Sequence, residues 1–352
     1  MRIALVAWYG MPHTRRFAAF FAERGHEVHV FTCGDAPVTD TGLPYRVHEL
    51  GLPRFGKLGY LAKIRRARTL LRRLQPDVVH AHTATSYGFI ALGVGVHPLV
   101  VTTHGSDVLL SPRNIFTRQI VRRVLLDADL VTAPAEHMRV AIDEITGGRA
   151  REVLVFQYGV EVDRLAALGA AVRNAKDVVR PRRLVTARPL APLYRTDRII
   201  AALGMLGPGW ELHVAGDGPE RAPLESLASD LDLGERVTFH GVIGESAVQE
   251  LIASASAYLS MAESDGVSIA LLEALALGTP AVVADIEANR DWIIDGANGV
   301  LSAPAPEEIA EAVIRAESLD AVAARALSYD LVRSRADRAT NLGELLRRFE
   351  LM

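Results

Sequence analysis

Residues 257–285 read AYLSMAESDGVSIALLEALALGTPAVVAD, and the order of apolar and polar positions in that stretch decides the fold. Tyr258-Leu259-Ser260 belongs to a short apolar run suited to a strand buried on both faces. The polar loop Glu263-Ser264-Asp265-Gly266 follows. Helical spacing begins near Ser268, carries Leu271, Leu272 and Leu275, and stops at Gly278 ahead of Pro280. A second apolar run over 281–284 completes a strand–loop–helix–strand unit. The loop therefore delivers the Asp265 carboxylate to a helix start at the carboxyl end of a strand. Unpaired N–H groups of Val267, Ser268 and Ile269 face an anion or ligand hydroxyls there, helped by the helix dipole. Glu273 lies further along the same helix, and a carboxylate is a good acceptor for hydroxyl groups. Glu263 reads as a helix-start residue only.

The same alternation extends outward in both directions. Apolar runs at 3–7, 27–31, 78–80, 99–103, 130–133 and 153–156 are short and rich in Val, Ile and Leu, with longer amphipathic segments between them. The pattern lapses over 166–182 and restarts with runs at 184–187, 212–215, 237–240, 257–259 and 281–284. Such βα alternation predicts doubly wound parallel sheets. The expected division is an N-terminal domain over 1–165, a linker over 166–182, a second domain over 183–328 and closing helices over 329–352, the last returning to the first domain. A chain of 352 residues is long enough for two such domains, and ligands in tandem α/β units gather beyond the strand ends.

Composition narrows the function classes. The chain is 49% hydrophobic and 23% charged, with a net charge of −3. Its single cysteine, Cys33, excludes an internal disulfide and a cysteine-based metal site. The N-terminal apolar run is too short for a signal peptide, and no apolar stretch is long enough to span a bilayer, so a cytoplasmic protein is expected. Residues 57–73 carry Lys57, Lys63, Arg65, Arg66, Arg68, Arg72 and Arg73 on a helix-like pattern with no acidic residue before Asp77. A solvated helix packed on the sheet is the commoner meaning of that pattern, and contact with anionic lipid is the alternative. The negative overall charge and the lack of an aromatic platform argue against nucleic acid.

The motifs flanking 257–285 make the chain recognisable. It resembles the retaining glycosyltransferases of the GT-B fold, family 4, over nearly its whole length and most closely over 214–301. That resemblance implies two Rossmann-like domains with parallel sheets facing a central cleft, and transfer of a sugar from a nucleotide-diphosphate sugar to an acceptor hydroxyl. The family's donor motif is a pair of glutamates separated by seven residues; Asp265 and Glu273 keep the spacing and replace the first Glu with Asp. By resemblance Asp265 faces the donor sugar and Glu273 the ribose, while the N–H groups of Gly266, Val267, Ser268 and Ile269 hold sugar oxygens and phosphate. Val214-Ala215-Gly216-Asp217-Gly218-Pro219 is similar to the family's strand-to-helix turn, and gives Gly216 and Gly218 as donor contacts. Phe239-His240-Gly241-Val242 resembles the segment that reads the nucleobase, which implicates His240 and Val242. Arg188, in Ala187-Arg188-Pro189-Leu190, matches the Arg that grips the diphosphate. The family's accompanying Lys is missing, and Arg195 is the nearest candidate.

In the first domain Thr102-Thr103-His104-Gly105-Ser106-Asp107 resembles the family's His-Gly-Ser/Thr-Asp element, which sets His104 near the sugar. The loop after the first run departs from the family's Gly-Gly pair: it reads Trp8-Tyr9-Gly10-Met11-Pro12-His13, leaving Gly10 alone for close approach to the donor. His13, Arg16, His82 and Asp107 are the acceptor candidates, and His80 also fits the family pattern. The resemblance implies metal-independent chemistry with no cofactor beyond the sugar nucleotide. The alternatives are a sugar-nucleotide epimerase of related fold, and a catalytically silent subunit that binds the sugar nucleotide. A nicotinamide-dependent dehydrogenase is disfavoured, since no Gly-x-Gly-x-x-Gly follows the first strand.

Overall fold

The computed structural model describes residues 1–34, 42–51, 59–175 and 182–352. The chain divides into two compact units, one of residues 1–158 and 339–352, the other of residues 159–338. Lys57 of the basic stretch and residues 176–181 of the expected linker lie outside the described residues.

In the first unit the strands are β1 (Arg2–Val6), β2 (Glu27–Thr32), β3 (Arg46–Glu49), β4 (Val78–His82), β5 (Leu99–Thr102), β6 (Leu130–Ala133) and β7 (Val153–Val155). Among the described residues they form one parallel sheet in the order β3-β2-β1-β4-β5-β6-β7. Side chains alternate across it, as the pleat requires. Ala4, Val6, Val79 and Ala81 join a core with α2 (Gly59–Leu74), α3 (Ser86–Val94), α5 (Ile115–Asp127) and α6 (Glu136–Thr146). The alternate residue His80 meets Phe17 of α1 (Pro12–Ala22), and Phe349, its centroid 5.4 Å from His80, comes from the C-terminal end of the chain. The short α4 (Ser106–Leu109) follows β5. Strand β3 is not among the expected runs: its sequence Arg-Val-His-Glu is polar because it is an edge strand with little burial.

The second unit holds β8 (Arg182–Ala187), β9 (Trp210–Ala215), β10 (Val237–Gly241), β11 (Ala257–Ser260), β12 (Ala281–Ala284) and β13 (Gly299–Ser302) in the order β10-β9-β8-β11-β12-β13, again parallel. One core gathers Leu184, Leu212 and Leu259 with residues of α8 (Thr196–Met205), α9 (Arg221–Asp230) and α13 (Pro306–Glu317). The other gathers Val185, Tyr258 and Val283 with α7 (Val162–Asn174), α10 (Glu245–Ala253), α11 (Ile269–Leu277) and α14 (Ala321–Ala336). The short α12 (Glu287–Arg290) follows β12, and α15 (Arg338–Glu350) closes the chain.

Three boundaries differ from the sequence-based expectation. The first unit ends at Tyr158 rather than at 165. Residues 166–174, expected as linker, belong to helix α7, which packs on α11 so closely that a Cβ on Gly169 would lie 2.0 Å from the Leu277 carbonyl oxygen. Their Ala-rich composition reads as featureless because a small-residue surface is what a close helix crossing needs. The second unit also runs on to Arg338 instead of ending at 328, so that α14 stays in it, while α15, the last helix, returns to the first unit as expected.

Both sheets carry one polar ladder on their β1-β2-β3 and β8-β9-β10 strands. Arg2 pairs with Glu27 (3.1 Å), Glu27 with His29 (3.0 Å), and His29 with His48 (2.7 Å). Arg183 pairs with Glu211 (2.8 Å), Glu211 with His213 (3.1 Å), and His213 with His240 (2.8 Å).

Candidate active site

Ser268 caps α11 by accepting the Leu271 N–H at 3.3 Å. Among the described residues the N–H groups of Val267, Ser268, Ile269 and Ala270 make no hydrogen bond, so the helix start carries four open donors. Arg188, just past the end of β8, reaches this helix start. Its guanidinium donates to Ser268 Oγ at 2.7 Å and to Asp265 Oδ2 at 2.6 Å, and lies over the Tyr194 ring at 4.4 Å. Its Nε is buried with no partner. Burial is the largest influence and works against the Arg188 charge, but the Asp265 carboxylate together with Tyr258 and Tyr194 more than offsets it and holds the guanidinium above its ordinary pKa. Asp265 also accepts the Gly266 N–H through Oδ1 at 2.8 Å. Arg188 and Asp265 are therefore joined to each other, with Gly266 tied to the same carboxylate.

The neighbouring turns fix this arrangement. Gly216 (φ +142°) and Gly218 (φ +159°) bring the β9 loop against the segment after β8: a Cβ on Gly216 would lie 2.1 Å from the Arg188 carbonyl oxygen, and one on Gly218 2.3 Å from that of Leu190. The close approach that these glycines permit is thus to protein backbone, and it holds Arg188 in place. Arg195, in the left-handed region at φ +50°, forms an ion pair with Glu263 at 3.5 Å, which brings a second cation to the loop before α11. His240 joins the edge-strand ladder through His213 instead of standing alone at a strand end. Val242 follows Gly241 with its side chain 84% exposed.

Glu273 lies one turn into α11 and is buried. Its Oε1 accepts from Gln249 of α10 at 2.9 Å, and the Gln249 Oε1 accepts from Arg164 of α7 at 2.8 Å. A carboxylate in a mostly apolar helix is held by an amide donor brought from another helix. Gln249 and Tyr194 are the residues that sequence reasoning missed. Gln249 lies 24 residues from its partner, and only the packing of α10 on α11 joins them.

In the first unit, the buried His80, His82 and Tyr158 cluster with the half-buried His104 and His13. The His82 ring lies 5.3 Å from His104 and 4.6 Å from His80, while His13 lies 5.0 Å from Tyr158. Burial drives the His80 pKa down to about 3 and that of His82 well below its ordinary value. Burial also lowers His104, with Asp107 opposing it, and pushes the Tyr158 phenol well up. These imidazoles are neutral near pH 7. Both ring nitrogens of His82 and Nε2 of His104 are buried without a hydrogen-bond partner among the described residues. Asp107, expected as an acceptor contact, is spent on backbone: Oδ1 takes the N–H groups of His104 and Gly105 at 3.0 Å, and Oδ2 that of Ala84 at 2.7 Å. A Cβ on Gly10 would stand 2.7 Å from the Trp8 ring, so this glycine makes room for that side chain. Arg16 is half-buried on α1. A cavity of about 200 Å³ lined by Trp8, Met11, His82, Thr83, Ser86 and Tyr87 opens beside this group.

Among the described residues no group of three or more His, Cys, Asp or Glu side chains is placed to hold a metal ion. No helix among them is long and apolar enough to cross a membrane.

Each unit is a Rossmann-like half built on a parallel sheet, and the carboxylate-bearing helix start of the second has the form expected of a GT-B glycosyltransferase. The first half matches the glycosyl transferase 4-like family over residues 2–134, and the second matches the glycosyl transferases group 1 family over residues 175–329. The chain is 30% identical over 340 residues to a GDP-mannose-dependent α-(1-6)-phosphatidylinositol dimannoside mannosyltransferase of Mycobacterium tuberculosis, covering 89% of this chain and 87% of that protein. It is 23% identical over 301 residues to N-acetyl-α-D-glucosaminyl L-malate synthase of Bacillus anthracis, covering 80% and 76%. In fold it matches sucrose-phosphate synthase of Thermosynechococcus elongatus (TM-score 0.83, 18% identity, 100% of this chain and 99% of that one). It also matches Anabaena HepE in complex with UDP and glucose (TM-score 0.81, 21% identity, 100% of both chains). The chain belongs to the family 4 glycosyltransferases.

Proposed function

We propose that this enzyme transfers a sugar from a nucleotide-diphosphate sugar to an acceptor hydroxyl with retention at the anomeric carbon. The observation that carries the reading is Arg188, held by Ser268 and Tyr194 against a helix start with four open N–H groups. That set suits a diphosphate, which gains charge as the glycosidic bond breaks. Arg188 and the α11 N-terminus stabilise the leaving group, and Arg195 takes the place of the family Lys. Asp265 acts as a positioning residue that aims Arg188, and the incoming diphosphate competes with its carboxylate for the guanidinium. Glu273, preset by Gln249, receives the ribose hydroxyls. With no second carboxylate assigned as a partner, Asp265 is not cast as a glycosidase-type nucleophile, and front-face attack assisted by a donor phosphate oxygen is the path we favour. The chemistry in this reading needs no metal ion or cofactor.

In the first unit the neutral His104 and His82 serve as hydrogen-bonding contacts for sugar or acceptor hydroxyls, not as proton donors at pH 7. The cavity beside them, with Trp8, Met11 and Tyr87 in its wall, supports an acceptor that has an apolar or ring-shaped part. The phosphatidylinositol-linked acceptor named for the mycobacterial relative supports a lipid-borne one. The exposed Leu61 and the cations of α2, Lys63, Arg65, Arg66, Arg68, Arg72 and Arg73, favour a cytoplasmic enzyme resting on an anionic membrane face.

A thermal-shift screen of nucleotide sugars tests the donor half, since the correct donor stabilises the fold by mass action. The anomeric configuration of the product, read by NMR, tests retention. An inverted product, or turnover of the sugar nucleotide with no acceptor, overturns the reading.

A further inference from the structure

The far end of α11 carries a second polar site. At its carboxyl terminus Gly278 takes the left-handed conformation (φ +74°), and Arg173 of α7 donates to the Leu277 carbonyl at 2.6 Å. Arg325 of α14 runs along the same glycine: a Cβ on Gly278 would lie 2.8 Å from the Arg325 Cδ and 3.1 Å from a terminal nitrogen of Arg173. Both arginines line a cavity of about 180 Å³ with Thr279, Asn298 and Ser328.

Capping of a helix C-terminus by cations accounts for Arg173. It does not account for Arg325, which makes no hydrogen bond and no ion pair among the described residues. Asp320, the carboxylate that acts on Arg325, spends Oδ1 on the Val322 and Ala323 N–H groups at the start of α14. Ser328, 3% exposed, adds a hydroxyl-bearing side chain to the cavity lining. Thr279 and Asn298, by contrast, are satisfied by Ile252, Trp292 and Ile294. Two guanidiniums on separate helices repel each other, and Arg325 joins burial in lowering the pKa of Arg173. An anion in the cavity removes that repulsion and supplies acceptors for the unused donors.

We propose that this cavity binds the phosphate group of a small phosphate monoester, with Arg325, Arg173 and Ser328 as its ligands. A tetrahedral phosphate presents oxygens to two guanidinium forks and a hydroxyl at once, which a planar carboxylate does less well. The volume exceeds the roughly 150 Å³ of a cavity that accepts a benzene ring, so a small organic substituent fits beside the phosphate. The site is separate from the donor site: Ser268 and Gly278 bracket opposite ends of a helix about 13 Å long. The proposal therefore stands whether or not the donor assignments hold.

Isothermal titration of the full chain with inorganic phosphate, glycerol 3-phosphate and glycerol tests it. Saturable binding of both phosphate probes and none of glycerol is expected. Arg325→Gln should weaken both by about tenfold or more, Ser328→Ala less, and Arg188→Gln not at all. Circular dichroism melts confirm that each variant is folded, and Arg325→Lys, which keeps the charge, should restore part of the affinity. Absence of saturable binding, binding that survives Arg325→Gln, or binding lost only in Arg188→Gln (an anion in the donor site) overturns the proposal. Binding of inorganic phosphate with exclusion of glycerol 3-phosphate overturns the ester assignment.

Discussion

Arg188 sits 2.6 Å from Asp265 with both side chains largely buried, so each sets the other's cost of desolvation. Replacing Arg188 with Ala takes the guanidinium from the largely buried carboxylate and should cost about 3 kcal/mol of stability in chemical denaturation, beyond the loss of transfer. Asp265→Asn instead frees the cation while keeping a polar side chain against it. Titration with a nucleoside diphosphate should then show equal or tighter binding while transfer falls, since the guanidinium is less well aimed. Weaker binding would mean that Asp265 holds the donor directly. The imidazoles give a pH signature. Above pH about 6.5, folded and unfolded chains both carry neutral rings, so His80 and His82 add no pH slope. As pH falls below that value the unfolded chain takes up protons that the buried rings refuse, and stability drops by about 1.4 kcal/mol per pH unit for each ring. For His80 the decline ends near pH 3. Midpoints of urea unfolding between pH about 6.5 and 5 should fall less steeply in His80→Gln than in the parent chain.

Helix α11 was legible as an element. Ser268 before it and Gly278 after it are capping residues, and Leu271, Leu272 and Leu275 lie between. Its neighbours were not legible. Every residue from Leu271 to Leu277 is buried because α7, α10 and α14 all pack on this helix, and no local pattern records three partners. The α7 contact rests on Gly169, whose missing Cβ admits the Leu277 carbonyl. Gly169→Ala should destabilise the second unit by about 2 kcal/mol in a thermal melt, with the nucleotide-sugar shift retained. Gly216→Ala is a different case. Its Cβ pushes on the Arg188 carbonyl and its backbone sits at φ +142°, so donor affinity should fall together with stability.

At the scale of the whole chain, α15 decides which unit the C-terminus supports. Leu342, Leu345, Leu346 and Phe349 are buried, with Phe349 5.5 Å from Phe21 and Arg348 paired with Glu152. Burying four such side chains is worth about 1.5–3 kcal/mol each, comparable to the stability of a whole domain. Ending the chain after Arg338 should therefore cost residues 1–158 their hydrogen-exchange protection while residues 159–338 keep theirs. Equal loss in both would show that they fold as one body. The βα alternation, and with it the doubly wound parallel sheets, followed from the sequence alone, because period and capping are local properties of the chain; the GT-B class came from the resemblance of its motifs to a known family. So did the spacing of Asp265 and Glu273. The pairing of Arg188 with Asp265 across 77 residues and the Gln249–Glu273 bond were decided by tertiary structure. So were the twin Arg–Glu–His–His ladders, whose members are scattered along the chain. The reason is physical: a charge or amide finds its partner through the packing of distant elements, and nothing in the local sequence encodes that distance.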